Sequence, residues 1–119
     1  MKLPGPDHPI TIEHNAKRVR VLFNGHVIAD TTDALTLKEA TLAPVLYIPR
    51  ADTDMSVLER TAHSTHCPYK GDASYYSVRV GERVSDNAVW TYEHPFPAME
   101  QITERLAFYR SRVDTIEES

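Results

Sequence analysis

The stretch RVRVLFNGHVIAD, residues 18–30, carries the clearest local structural signal in the chain. In its first half every second side chain is apolar, which is the period of a strand with one buried face. Asn24-Gly25 follows, and this pair tolerates the positive φ angles of a type I′ turn. The stretch therefore predicts a β-hairpin with strands near 18–23 and 26–31.

Other stretches repeat the strand signal along the chain. Alternation or a short apolar run occurs in ALTLKEA (34–40), PVLYIP (44–49), ASYYSVRV (73–80) and NAVWTYE (87–93). The two prolines that bracket PVLYIP suit an edge strand. Roughly seven short strands predict a mainly β domain, either a compact sandwich or an open barrel.

One short helix is expected near residues 97–104. Pro97 suits a first helical turn, and Met99 and Ile102 recur at helical spacing. A further helical turn is expected after residue 50, with Asp52 or Asp54 as its cap.

The rest of the chain predicts less regular structure. Residues 1–17 contain three prolines and are interpreted as an extended arm with a short strand at 10–12. Residues 18–114 form the single β-rich domain, residues 63–72 are expected to be mostly turn, and residues 115–119 are expected to be a frayed tail.

Composition limits the possible partners. The chain has 13 basic and 17 acidic residues and a net charge of −4, so no overall positive field attracts nucleic acid. No apolar run approaches a signal peptide or a membrane span. One cysteine cannot form an intrachain disulfide, which favours a reducing cytoplasm. The chain is expected to act there as a monomer or homodimer.

The stretch HCPYKGDASYY, residues 66–76, contains the single cysteine. Cys67 would be a nucleophile if His66 or Lys70 stabilised its thiolate, so Cys67 and Lys70 are the candidate catalytic pair. The alternative is that Cys67 is a small, partly buried apolar residue at a turn. His63, His66 and Cys67 are only three candidate zinc ligands, and no second cluster is present to complete a site. No metal or other cofactor is expected.

Asp52 and Asp54 raise the possibility of two-metal nucleotidyl transfer, because alternate residues of an extended segment point to one side. Such chemistry also needs a third carboxylate and a phosphate-binding loop, and neither is recognisable. Helix capping explains both aspartates more simply.

Aromatic residues offer a different kind of site. A cluster of tyrosines with Trp90, placed beside Lys70 and Asp52, would line a pocket for a small planar or cationic ligand. The alternative is that Trp90, like Tyr76, simply packs in the core.

The motifs THCPYKGDASYYSV, AVWTYEHPFP and LAFY give the chain a resemblance to the bacterial domain-of-unknown-function family 427. This family is also catalogued under a nucleotidyltransferase-type name. RVRVLFNGHVIADT and LYIPRADTDMSVL extend the resemblance over residues 18–114. Its pattern falls on the candidate ligand-binding residues Arg20, Glu39, Tyr47, Asp52, Tyr69, Gly71, Tyr75 and Trp90.

The resemblance implies a small fold similar to the Mss4-like, or β-tent, architecture. The leading hypothesis is a small-molecule-binding domain with a pocket around the turn Cys67-Pro68-Tyr69-Lys70-Gly71 and Trp90. Lys70 would pair with a ligand anion or with Asp52. The alternatives are an enzyme that uses Cys67 as a thiolate nucleophile and a protein-interaction module that uses a sheet edge.

Overall fold

The structure is a computed structural model that describes residues 1–119. Its ten strands are β1 (Ile10–Asn15), β2 (Val19–Phe23), β3 (His26–Thr31), β4 (Ala34–Glu39), β5 (Val45–Tyr47), β6 (Leu58–Cys67), β7 (Gly71–Val80), β8 (Arg83–Thr91), β9 (Leu106–Phe108) and β10 (Thr115–Glu118). Four short 3-10 helices join them: Arg50–Asp52, Met55–Val57, Pro97–Ile102 and Arg110–Arg112. The prediction of a mainly β domain is confirmed.

The hairpin predicted from residues 18–30 forms as expected. β2 and β3 pair antiparallel, and the turn residues Asn24 and Gly25 have φ angles of 51° and 76°. Both angles are positive, as a type I′ turn requires. The alternating valines of β2 are fully buried, so the hydrophobic pattern sets which face of this hairpin meets the core.

The strands form three antiparallel sheets with the orders β1-β4-β5, β10-β2-β3 and β6-β7-β8-β9. The four-stranded sheet contributes side chains to two separate core clusters. On β7, Tyr76 and Val78 belong to the first cluster, which includes most of the buried residues of β2 and β3. Ala73 and Tyr75 belong to the second cluster, together with Tyr47 of β5. Alternation along one strand therefore supplies both cores.

The region expected to be mostly turn is largely a strand. β6 runs to Cys67 and pairs with β7 down to the pair Cys67–Gly71, so the turn is confined to Pro68–Lys70. β6 is an edge strand, and most of its side chains are exposed and polar. A strand without a buried face has no apolar alternation, which is why the sequence pattern did not indicate it.

Both chain ends also belong to sheets. β1 is longer than the strand expected at residues 10–12, and it pairs with β4 along its whole length. The tail was expected to be frayed, but β10 pairs with β2, and Arg18 and Ser119 exchange two backbone hydrogen bonds of 3.0 and 2.9 Å. Backbone pairing orders this segment, and the tail prediction is wrong.

The helical predictions are confirmed in outline. Pro97 lies in the first turn of the expected helix, but the segment Pro97–Ile102 is 3-10 with a kink at Met99. Asp54 caps the turn Met55–Val57 by accepting a 3.1 Å hydrogen bond from the Ser56 amide. None of the helices has the length and apolar character needed to cross a membrane. The likeness to the Mss4-like architecture stays a prediction.

Candidate functional site

The turn between β6 and β7 is held from both sides by backbone hydrogen bonds. The Pro68 carbonyl accepts from the Lys2 amide at 2.8 Å, and the Lys70 carbonyl accepts from the Phe96 amide at 2.9 Å. Gly71 ends the turn with a φ of +111°, a backbone conformation that L side chains rarely adopt. The Pro68–Lys70 turn is thus anchored between the N-terminal segment and the segment after β8.

Lys70 turns its side chain inward from this anchored turn. The ammonium forms a hydrogen-bonded ion pair with Glu39 at the end of β4. The exposed fractions of the two side chains are only 9% and 13%. The second carboxylate oxygen of Glu39 lies 2.7 Å from His8 Nε2, and the His8 ring stacks on Tyr69 at a centroid distance of 4.1 Å.

The electrostatics of Glu39 follow from these contacts. Burial acts to raise its pKa, but the hydrogen bonds and charge interactions with Lys70 and His8 together outweigh burial, and the pKa lies below the ordinary value of 4.5. Glu39 is therefore ionised at neutral pH and holds a buried cation in place.

Next to this ion pair lies a cavity of about 230 Å³, here called the lysine cavity. Glu39 and Lys70 are its only charged lining residues. Its remaining walls are apolar or aromatic: Leu37, Leu42, Ala43, Val45, Tyr47, Tyr75, Trp90, Tyr92 and Tyr109. A cavity with apolar and aromatic walls and one convergent polar end is the usual composition of a small-molecule site.

Hydrogen bonds fix the aromatic walls. Trp90 Nε1 donates to Tyr47 Oη at 3.3 Å, and the Trp90 ring lies 4.5 Å from that of Tyr109. The Tyr75 hydroxyl lies 2.9 Å from Thr65 Oγ1 and 3.4 Å from the Tyr109 hydroxyl. These contacts hold the rings in a defined arrangement.

Three tyrosines of the cavity, Tyr47, Tyr92 and Tyr109, have raised pKa values and are neutral at neutral pH. Burial raises the pKa of Tyr47 and of Tyr92 well above the ordinary value for tyrosine. Burial and the hydrogen bond with Tyr75 raise the pKa of Tyr109 to about 12. These hydroxyls can therefore donate and accept hydrogen bonds at neutral pH but carry no charge.

A second cavity of about 180 Å³, here called the apolar cavity, adjoins the first. The two cavities share four lining residues: Ala43, Val45, Trp90 and Tyr109. The residues that line only the apolar cavity are Pro44, Leu46, Ile48, Phe108, Arg110 and Ile116. Leu46, Phe108 and Ile116 come from β5, β9 and β10, which are edge strands of three different sheets.

Cys67 does not line either cavity. It is partly buried and packs against the second core cluster. His66 precedes it on a regular part of β6, so the two side chains leave opposite faces of the sheet, and His66 Nδ1 lies 2.7 Å from Asp72. Because the Lys70 ammonium is paired with Glu39, neither expected cation is paired with the thiol. No group of three or more His, Cys, Asp or Glu side chains is arranged to hold a metal ion.

Asp52 and Arg20 lie away from the lysine cavity. Asp52 accepts a 2.7 Å hydrogen bond from Thr31 Oγ1 and lines a separate, open depression beside β3. The expected pairing of Asp52 with Lys70 is not formed, because Lys70 meets Glu39 instead. Arg20 lies on β2, where its guanidinium is 3.9 Å from Asp30 and 3.7 Å from Glu117 across the sheet.

Five of the predicted residues line one cavity: Glu39, Tyr47, Lys70, Tyr75 and Trp90. Tyr69 and Gly71 do not line it, but they shape the turn that presents Lys70. Tyr76 lies in the first core cluster, as expected. Trp90 lines the cavity and also packs against the second core cluster, and its role as a wall for a ligand stays a prediction.

Other residues near the site were not predicted. Leu42 and Ala43 belong to the loop after β4, and this loop has no sequence motif that marks a wall. His8 was assigned to the extended arm, and no local pattern indicates that it reaches Glu39. Tyr92 and Tyr109 were not among the candidate ligand-binding residues, although they also line the cavity. Their aromatic character in strand-like stretches is a signal that could have found them.

A family model described as Domain of unknown function (DUF427) matches residues 11–119. The chain belongs to this family. The match covers the whole β domain with both cavities and begins just after the start of β1, so His8 lies outside it. The resemblance seen in the CPYKG and AVWTYEHP motifs is thereby confirmed. No curated protein matches the chain.

Proposed function

We propose that the chain binds a small, largely apolar molecule in the lysine cavity, with a carboxylate or carbonyl oxygen of the ligand directed at Lys70. The aromatic walls take the body of the ligand, and the ion pair takes its polar end. The single observation that supports this proposal is a buried ammonium at the polar end of an aromatic cavity.

The argument rests on the hydrogen-bonding capacity of Lys70. An ammonium has three N–H donors, and Glu39 is its only protein partner. A buried donor without an acceptor costs free energy, so a ligand oxygen at this position contributes to binding.

The size of the cavity limits the ligand. Apolar cavities of about 150 Å³ admit benzene, and the lysine cavity measures about 230 Å³. A single ring with one polar substituent fits this space. A nucleoside triphosphate is a poor match, because one buried lysine does not supply the donors that three phosphates need.

Three probes of similar size test the proposal: benzoate, benzamide and benzylamine. Trp90 is the only tryptophan and lines the cavity, so its fluorescence reports occupancy. Benzoate and benzamide are expected to change the emission in a saturable manner, and benzylamine is expected to bind more weakly because its ammonium meets that of Lys70. The absence of saturable binding by all three would contradict the proposal.

A charge-removing variant assigns the signal to Lys70. Lys70→Met keeps the aliphatic stem and is expected to weaken benzoate binding about tenfold or more, since a hydrogen bond to a charged group contributes about 1.5–3 kcal/mol. The matched control is Lys38→Met, because Lys38 is exposed and lies beside Glu39 in β4. Equal affinities of both variants for benzoate would refute the role of Lys70.

The two alternative functions stay predictions. A cysteine-dependent enzyme needs a cation that stabilises the Cys67 thiolate, and neither His66 nor Lys70 is paired with it. An interaction module would use an exposed sheet edge such as β6. A cytoplasmic location is consistent with the single unpaired cysteine.

A further inference from the structure

We infer that the ligand is amphipathic: its carboxylate or carbonyl head lies at Lys70, and a flexible apolar tail passes Trp90 into the apolar cavity. This inference rests on the proposed function and specifies the class of ligand. A straight-chain carboxylate of medium length is the simplest molecule of this class.

The first support is the contact between the two cavities. Trp90 and Tyr109 line both of them, as do Ala43 and Val45 of the loop and strand opposite. A ligand that packs against Trp90 in one cavity therefore lies beside the other. The Trp90 side chain is anchored by its hydrogen bond to Tyr47 and forms a fixed wall along this route.

The second support is the distribution of charge. The lysine cavity has its ion pair between Glu39 and Lys70, while the apolar cavity has a single charged residue, Arg110. The Arg110 guanidinium is mostly exposed and lies 4.0 Å from Glu118, so it belongs to the solvent side of this cavity. The lysine cavity thus has a polar, buried end, and the adjoining cavity on the other side of their shared residues is apolar.

The third support is the way in which the apolar cavity is built. Edge strands of three sheets converge on it, and they present Leu46, Phe108 and Ile116 to the space between them. Leu46 and Ile116 are only partly buried by the protein itself. An alkyl tail in this space would bury them further, and removal of apolar surface from water is favourable.

Isothermal titration calorimetry with butanoate, hexanoate and octanoate tests the inference. The dissociation constant is expected to fall about fourfold for each methylene that enters the apolar cavity, which is the fold-change equivalent to ~0.8 kcal/mol. Benzoate serves as the reference ligand, because it fills the lysine cavity alone.

Two variants that fill the apolar cavity locate the tail. Ile116→Trp and Leu46→Trp are each expected to remove the increase in affinity from hexanoate to octanoate. The dissociation constant of benzoate is expected to change by no more than about twofold. The matched control is Val84→Trp, since Val84 is 38% exposed on β8 and lines neither cavity. Thermal unfolding of each variant shows whether it is folded. One folded filling variant is sufficient to test where the tail lies.

The outcomes separate this inference from the proposed function. Benzoate binding that depends on Lys70, without any gain along the carboxylate series, would overturn the amphipathic ligand and leave the proposed function intact. If octanoate still bound more tightly than hexanoate in both filling variants, the tail would lie outside the apolar cavity, and the inference would also be overturned. Failure of benzoate and of every carboxylate to bind would contradict both.

Discussion

The ion pair between Lys70 and Glu39 joins two segments that are 31 residues apart in sequence and forms the polar end of the lysine cavity. Glu39 ends β4, and Lys70 lies in the turn between β6 and β7. Buried ion pairs contribute little to stability relative to well-packed apolar residues, but removal of one partner is costly. The intact pair is therefore expected to add little stability, whereas loss of either partner is expected to be costly.

Loss of the Lys70 charge is expected to destabilise the protein. In Lys70→Met, Glu39 keeps only His8 as a hydrogen-bonding partner, and the unfolding free energy is expected to fall by about 3 kcal/mol, the low end for a buried ion pair that loses one partner. Urea denaturation measures this change. Lys38→Met changes an exposed position, and its unfolding free energy is expected to stay within about 0.5 kcal/mol of wild type. A similar loss of stability in both variants would show that the ion pair does not contribute more than an exposed lysine does.

The pH dependence of stability follows from Glu39. Its folded pKa lies below the ordinary value of 4.5, so between these two values the unfolded chain binds more protons than the folded one. The stabilisation that ionised Glu39 contributes is complete above the unfolded pKa and is lost as pH falls through the folded pKa. Other carboxylates with lowered pKa values, such as Asp114, act in the same direction.

The comparison of wild type with Glu39→Gln isolates the contribution of Glu39 to the pH dependence of the unfolding free energy. The difference in unfolding free energy between the two proteins is expected to be constant above pH 4.5 and to shrink below it. Chemical denaturation across this range provides the measurement. A difference that grows on acidification would mean that the folded-state pKa of Glu39 is raised rather than lowered.

Gly71 is expected to tolerate no side chain. Its φ of +111° lies outside the left-handed region that other residues adopt, and strain of this kind costs about 1–3 kcal/mol. Gly71→Ala should therefore lower the unfolding free energy by this amount. Gly5→Ala is the matched control, because no atom lies within 4 Å of the added Cβ and Gly5 lacks a positive φ.

Space is not the limitation at Gly71, because the nearest atom to an added Cβ would be the His94 carbonyl oxygen at 3.5 Å. Equal stability of Gly71→Ala and Gly5→Ala would show that the turn can adopt another backbone conformation in which residue 71 has no positive φ.

The reactivity of Cys67 is expected to be independent of Lys70. The ammonium is paired with Glu39, so its removal takes no cation from the thiol. The rate of Cys67 alkylation plotted against pH should be the same in wild type and Lys70→Met. A shift of the profile toward higher pH in the variant would support the catalytic pair Cys67–Lys70.

Nucleotidyl transfer is expected to be absent. The Asp52 carboxylate accepts a hydrogen bond from Thr31, and that of Asp54 accepts from Ser56 and contacts His26. Incubation with nucleoside triphosphates and magnesium should release no pyrophosphate. Release that Asp52→Asn abolishes, in a variant with unchanged thermal stability, would show that these aspartates serve catalysis.

The sequence alone determined the elements that are encoded locally. Asn24-Gly25 specifies its turn through backbone sterics, and alternation in β2 and β7 specifies which side chains face a core, because neighbouring residues of a strand point to opposite faces. The motifs around Cys67 and Trp90 were sufficient to indicate the family. Edge strands such as β6 and β10 were not recognised, because backbone pairing rather than an apolar pattern defines them.

Only the tertiary structure decided which candidate residues share a site. Lys70 meets Glu39 rather than Asp52 because the β6–β7 turn lies against the end of β4, while Asp52 is held beside β3 by Thr31. Cys67 and His66 are adjacent in sequence but leave opposite faces of the sheet. Such contacts depend on how three sheets pack together, and strand periodicity carries no information about distances between sheets.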